Sequence, residues 1–507
     1  MRKISDQLKW VAVAAIFAVC VAPTFISYRP YVFRWDDSEY LQRSIAVSRA
    51  FWTLNVHGMG AGMVSKRPPA MTLLGLPWGQ LASWEAAGKC FITLGAVISL
   101  LSSFCLYLLL RIGVRPSLLA LASICVLASL GPYPSGASTH FQATAFMADS
   151  LFAWTTLATV LLIPYEARLH CSGINGAILR GILWAAVLSL GVMTKIGFFY
   201  FVVLVVPILF LVRLRWVGLP GALAALIALA CCSAPAAFYL LRWGQSAFAN
   251  GGASSFGRVA DFYYSGTLAH FLGDSIRESP GLAVSFLLMA SALVYLLIKK
   301  RISIAGPHSL APLIIIGFGI LVFASPNRQM RYAFPAVVSL PFLIGILLSP
   351  NADSVPGKSA ALAAGLVFCG LFVACVPTWH RTDRQNLSRC EAVLAQALKC
   401  HSRRVVLATD SPTLNKNLMD LANEFWATES PVEVDTLAYQ AMSGVPIEAD
   451  FHAIDEFDQV VFQDRAELSP PFTNQRVSEY ERYIQQGRYV PVKVADDLTV
   501  YSIRCGP

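Results

Sequence analysis

Apolar runs long enough to cross a bilayer recur along this chain up to about residue 377, and they constrain its fold more than any other feature. A run of ~18 or more apolar residues reads as a membrane-spanning helix, because the hydrocarbon core holds no water to satisfy a bare backbone. Eleven spans are expected, at about 9–28, 89–110, 116–132, 144–163, 177–193, 196–212, 219–241, 280–298, 309–324, 332–349 and 359–377. The fifth and sixth are short and flank Lys195, so they read equally as one broken unit. Only 14% of the 507 residues are charged, against about 25% in soluble domains. One large soluble enzyme is therefore excluded. The first run lacks a small-residue cleavage site and further spans follow it, so a cleaved signal peptide is not expected.

Lysines and arginines orient the bundle. With the N-terminus inside, the inner ends carry Arg2, Lys3, Lys9, Arg111, Arg115, Arg168, Arg180, Arg213, Arg215, Lys299, Lys300, Arg301 and Lys358. That order satisfies the positive-inside rule. It predicts a multi-pass membrane protein with a cytoplasmic N-terminus and an extracytoplasmic tail. The net charge of +9 follows from these flanking cations, which form no stripe for nucleic acid. Eight cations lie outside against the trend: Arg34, Arg43, Lys66, Arg67, Lys195, Arg258, Arg328 and Arg331. An anion bound at the outer face would account for them.

Beyond about residue 380 the composition turns ordinary. "RRVVLATDSPTLNKNLMDLANEFW" reads as strand, turn and helix, "FDQVVFQD" as a strand, "NQRVSEYERYIQQG" as a helix, and "YVPVKVADDLTVYSIR" as a hairpin. The expected organisation is an all-α polytopic membrane module over 1–379, with about 11 transmembrane helices, and a soluble α/β domain over 380–507. Two long outer loops belong to the module: 29–88, and the Gly/Ser/Tyr-rich 242–279, whose glycines suit a lid. "ATDSP" at a strand end lacks the Gly-rich phosphate loop that a nucleotide site needs. Cys390 and Cys400 are expected on one helix, too far apart to bond, which leaves Cys505 as a partner in any disulfide of the tail.

Five outer segments carry chemistry-bearing residues. "VFRWDDSEYLQRS" sets Asp36 beside Asp37 directly after the first span. Asp36 with Glu39 fits a capping box, and an aspartate at a helix start also projects into a cleft. Asp36, Tyr40 and Arg43 share a helical face by spacing. "SKRPPAMTLLGLPWG" puts Lys66 and Arg67 before two prolines, either as solvated loop charges or as a phosphate clamp. Asp149 opens a span that is otherwise apolar, as a functional acid or a structural ion pair, while nearby His140 reads as an interfacial residue. Lys195 in "MTKIG" either snorkels or meets an acid or phosphate. Arg331 opens the tenth span. Acids and cations gathered at one face suit group transfer from a phosphorylated donor: a carboxylate takes the proton of an attacking hydroxyl, and cations stabilise the departing phosphate.

The order "DDSEY", "KRPPA", Asp149, "MTKIG" and "RYAFP" over about residues 1–350 resembles the GT-C superfamily of glycosyltransferases, with protein mannosyltransferases and lipid A aminoarabinose transferases as the nearest relatives. The resemblance implies a GT-C-like fold and a hexosyl- or pentosyltransferase. Its donor would be a polyprenyl-phosphate sugar, and its acceptor a lipid, polysaccharide or protein. It implies Asp36 as catalytic base, with Asp37 and Asp149 as accompanying acids. Arg67, Lys66, Lys195 and Arg331 would bind the donor phosphate, and Tyr40, Arg43, Arg258 and Tyr263 the substrates. The family's lysine is usually followed by glycine; here Ile196 intervenes before Gly197. Lys66 stands where some relatives carry a metal-linked acid, so no tightly bound metal or other cofactor is expected, although a loosely held divalent cation is compatible. A transporter or flippase for a lipid-linked or anionic substrate is the competing reading. It would place charges near the midplane of two symmetric halves, and neither feature is visible.

Overall fold

The computed structural model describes the chain apart from 1–11, 18–34, 64–66, 130–147, 169–172, 326–329, 350–386, 427–429, 442–443, 465–473, 488 and 504–507. Between 243 and 306 it describes only the helical positions 269, 273, 287–292, 294, 295 and 298, and within helices the side chains of 35, 36, 127–129, 330 and 331 are also left out.

Every expected span that falls mainly within the described residues is a helix. We label α1 Trp35–Trp52, α2 Val56–Met63, α3 Ser83–Ile112, α4 Pro116–Ser129, α5 Ala148–Arg168, α6 Ile174–Thr194, α7 Phe199–Arg242, α8 Pro307–Ala324 and α9 Met330–Leu347. Five helical stretches among the described residues are long and apolar enough to cross a membrane, and Pro116–Val126 and Tyr332–Leu347 are shorter apolar helices. The expected spans at 9–28, 280–298 and 359–377 lie largely or wholly outside the described residues. α7 runs through two expected spans, broken at Gly218, whose φ of 69° an L side chain rarely adopts. The two halves therefore correspond to the sixth and seventh expected spans.

α5 is the axis of the bundle. Its residues from Ala148 to Glu166 are all buried, and α3, α6, α7, α8 and α9 pack around it. Aromatic rings knit this centre: Phe17 lies 6.0 Å from Trp154 and 5.6 Å from Phe342, and Phe152 meets Phe198, Phe201 and Phe318. A helix buried on every side can be apolar on every side, which is why its sequence shows no amphipathic stripe.

The tail is a five-stranded sheet in the order β2-β1-β3-β5-β4, where β1 is Arg404–Leu407, β2 Glu433–Thr436, β3 Gln459–Gln463, β4 Val490–Ala495 and β5 Leu498–Ser502. β1 pairs in parallel with β2 and β3, and β5 runs antiparallel to β3 and β4. α10 (Ser388–Lys399) and α11 (Lys416–Trp426) share one core with Val405, Leu407 and Val461. Helices α12 (Ile447–Asp455) and α13 (Val477–Gln485) share the other with Val406, Val460 and Phe462. Central β3 is buried along its whole length, as a strand covered on both faces must be. β2 and α12 are elements that the sequence did not announce: "EVDT" is short, polar and at the sheet edge. Cys390 is a free buried thiol, pushed up to about 12 by that burial. Cys400 is disulfide-bonded, and its expected partner, Cys505, lies outside the described residues.

Candidate functional site at the tail end of the bundle

The first long loop folds back on itself along α1. Ser44 Oγ donates to the Tyr40 carbonyl at 2.7 Å and to the Met71 carbonyl at 2.9 Å, and Ser48 Oγ donates to Gly75 O at 2.7 Å. Gly75 and Gly79 permit this approach: a Cβ on either would lie 2.5 Å or 2.4 Å from the carbonyl oxygens of Ser44 and Ser48. The segment that follows the double proline is thus pressed against the helix that carries the acids, and Arg67 is delivered to it.

Arg67 Nε donates to Glu39 Oε2 at 2.8 Å, and Arg43 Nη2 holds the other carboxylate oxygen at 3.0 Å. The Arg67 guanidinium also lies over the Tyr40 ring, 5.2 Å from its centroid. Two positive side chains thus converge on one carboxylate, with an aromatic face as a floor. Asp37 is fully buried, and Ser38 Oγ donates to its Oδ1 at 3.3 Å. The capping-box expectation is corrected here. α1 already includes Trp35, so Asp36 sits inside its first turn, and Glu39 is engaged by the two arginines instead.

A second acid–cation pair forms where three helix ends meet. Asp149 lies in the first turn of α5, where the helix dipole favours a negative charge. Lys195 stands in extended conformation between the end of α6 and the 3-10 turn Ile196–Phe198, and its ammonium pairs with Asp149 Oδ1. The ammonium also lies 4.7 Å from the Tyr332 ring centroid and 5.5 Å from that of Phe152. The short helix Ala70–Leu73 packs against both α1 and α6, so it links the two groups.

Of the residues singled out in the sequence, Tyr40, Arg43 and Arg67 come together, and Asp149 with Lys195. Asp36 and Arg331 fall on α1 and α9, with side chains outside the described set. Lys66, Arg258 and Tyr263 lie outside it altogether, as does the 242–279 loop from 243 onward apart from positions 269 and 273. Two participants were missed. Glu39 received only a capping role, and Tyr332 was hidden in an apolar stretch, although its place one residue after Arg331 was a signal.

The tail domain reaches this same end. α11 packs along α1; Arg49 Nη1 meets Glu424 Oε2 at 2.9 Å, and the Phe425 and Trp84 rings stand edge to face with centroids 5.0 Å apart. Burial raises the Glu424 carboxyl above its usual range, while Arg49 and a hydrogen bond from Gln42 pull it partway back. Asp420 is raised by burial as well; Lys416 and Arg43 oppose the shift and Glu39 adds to it.

The far end of α5 holds a different arrangement. Glu166 is fully buried, 3.4 Å from Arg213 Nη1 and 3.8 Å from Arg180 Nε, and it accepts a hydrogen bond from Trp184 Nε1 at 3.3 Å. The sequence counted Arg180 and Arg213 as charges that orient the bundle. Arg213 is in addition an interior residue, 1% exposed.

No family model matches the sequence, and no curated protein matches it. Solved structures do. ArnT from Cupriavidus metallidurans bound to undecaprenyl phosphate superposes with a TM-score of 0.52 at 14% identity, over 98% of each chain. The chain has the GT-C fold. ArnT in its apo state gives a TM-score of 0.50 at 14% identity over all of both chains. The archaeal oligosaccharyltransferase AglB from Archaeoglobus fulgidus, in complex with an inhibitory peptide and a dolichol-phosphate, gives 0.50 at 12% over 90% of this chain and 69% of that one. At such identities the likeness is one of fold. The GT-C fold joins a polytopic membrane bundle to a soluble domain, as found here.

Proposed function

We propose that this protein is a membrane glycosyltransferase that moves a hexosyl or pentosyl group from a polyprenyl-phosphate donor to an acceptor at the outer face of the inner membrane. The carrying observation is the GT-C fold, matched over 98% of both chains to a protein bound to undecaprenyl phosphate. Acids and cations collected at the end of the bundle that meets the tail support it. In this reading the N-terminus is cytoplasmic and residues 380–507 form an extracytoplasmic domain.

An acceptor hydroxyl attacks the anomeric carbon of the donor sugar. The new glycosidic bond forms as the bond from that carbon to the lipid phosphate breaks. The hydroxyl proton passes to the Asp36 carboxylate, and the bond electrons leave on the polyprenyl phosphate, stabilised by Arg67, Lys66, Lys195 and Arg331. Where the acceptor is a phosphate, no proton needs to move. Asp37 and Asp149 hold the local charge pattern. Arg67 and Lys195 each rest on a carboxylate, Glu39 and Asp149, and both cations are partly exposed although Asp149 itself is buried. An arriving phosphate can therefore reach either cation from the solvent side. Tyr40, Arg43, Arg258 and Tyr263 line the substrates.

The test is release of polyprenyl phosphate by the purified protein in lipid, offered a panel of polyprenyl-phosphate sugars and acceptors, with Asp36→Asn in parallel. Release by wild type and its loss in the variant support the transferase and name the donor. Release that is equal in both removes Asp36 from the chemistry. No release from any donor, together with movement of the lipid-linked sugar between leaflets, would establish a flippase instead.

A further inference from the structure

The tail domain is fastened to the helix that carries the two acids, and the fastening is polar and specific. Arg49, in the last turn of α1, divides its guanidinium. Nη1 reaches Glu424 on α11 at 2.9 Å, and Nη2 donates to Ser83 Oγ at the start of α3. Glu424 takes a further hydrogen bond from Gln42, two turns back along α1. One turn earlier on α11, Asp420 lies within electrostatic reach of Arg43 and Glu39, the pair on which Arg67 rests. The Trp84–Phe425 ring contact closes the junction from the α3 side. Three parts of the molecule (the tail, the first loop and the head of a span) thus meet at one arginine.

Ordinary domain adhesion would account for the ring contact. It accounts poorly for Arg49 and Glu424, which are 34% and 21% exposed. A partly exposed ion pair contributes modestly to stability, yet this one joins an element of the tail to the helix bearing Asp36 and Asp37. Rate responds to position far more steeply than stability does, and a shift of about 1 Å at a reacting group costs about a hundredfold. We propose that Arg49 and Glu424 are positioning residues: through them the tail domain sets the placement of α1, and hence of the turn that bears the two acids. The inference rests on the transferase reading for its consequence in turnover, and on geometry alone for the coupling between α11 and α1.

The test uses the full-length protein in lipid. Arg49→Gln and Glu424→Gln are each expected to lower kcat about tenfold, with donor KM and the thermal midpoint close to wild type. Amide exchange over residues 35–52 is expected to quicken. The swap Arg49→Glu with Glu424→Arg restores most of the turnover, since the Ser83 hydroxyl can donate to a carboxylate as readily as it accepts from a guanidinium. Unchanged exchange in α1 on Glu424→Gln overturns the proposal. So does a loss of turnover that follows a fall in the thermal midpoint and is not restored by the swap. If wild type releases no lipid phosphate from any donor, the transferase reading falls, while exchange in α1 still decides the coupling.

Discussion

Asp149 and Glu166 stand at opposite ends of one helix, and each is paired with a cation from elsewhere in the bundle. Their surroundings differ sharply. The Asp149–Lys195 pair keeps one partly open partner, with the lysine side chain 23% exposed, and it is bordered by aromatic faces. The Glu166–Arg213 pair is 0% and 1% exposed, and Arg180 and Trp184 complete its shell. A pair with access to solvent can exchange partners when an anion arrives. A sealed pair cannot, because separating it strands a charge in low dielectric. The two ends of the bundle therefore serve different ends: one is built to respond, the other to hold.

That contrast predicts opposite phenotypes. The largest effect is expected from Asp36→Asn at the responsive end, a fall of about 10²–10⁴ in lipid-phosphate release with thermal unfolding unchanged. Next comes Arg213→Met at the sealed end, which strands Glu166 and destabilises by about 3–5 kcal/mol. The double variant Glu166→Leu with Arg213→Met recovers most of that stability by the same logic. If Arg213→Met unfolds like wild type, the distinction between the ends collapses. Lys195→Gln should raise donor KM about tenfold, equivalent to about 1.4 kcal/mol, while shifting the thermal midpoint little. A large loss of stability there would make Lys195 a structural residue like Arg213.

The smallest effect lies in the tail, where the Arg389–Asp497 pair serves as a reference. Burial alone would raise the Asp497 carboxyl, but the hydrogen bond from Gln463 and the charge of Arg389 outweigh it and hold the group below its usual range. A depressed carboxyl contributes stability above its unfolded pKa of about 3.9 and loses it as pH falls through the folded value. Asp497→Asn should therefore flatten the acid limb of tail unfolding and leave lipid-phosphate release at neutral pH unaltered.

Much of the fold was legible because apolar runs have only one way to satisfy their backbone in a membrane. The central strands "RVVL" and "QVVFQ" were legible for a related reason: continuous apolar residues signal burial on both faces. What stayed hidden depended on contacts between distant segments. Nothing near Arg67 says that it will reach Glu39; that follows from Gly75 and Gly79 pressing their segment onto α1. Arg213 looked like an orienting charge because Glu166 is its partner only after α5 and α7 have packed. β2 escaped because an edge strand of four polar-leaning residues carries almost no periodic signal.

The Glu166–Arg213 pair has a consequence for how the molecule is made. The acid is synthesised first, on α5, and its closest counter-ion arrives only with the first half of α7. Until then its partners are Arg180, at 3.8 Å, and the hydrogen bond from Trp184 Nε1, both on α6. A charge held without full compensation in the membrane is costly, so the early helices have reason to remain unsettled until Arg213 enters. The order of the chain thus means that this end of the bundle has its full set of contacts only once α7 has followed α5 and α6.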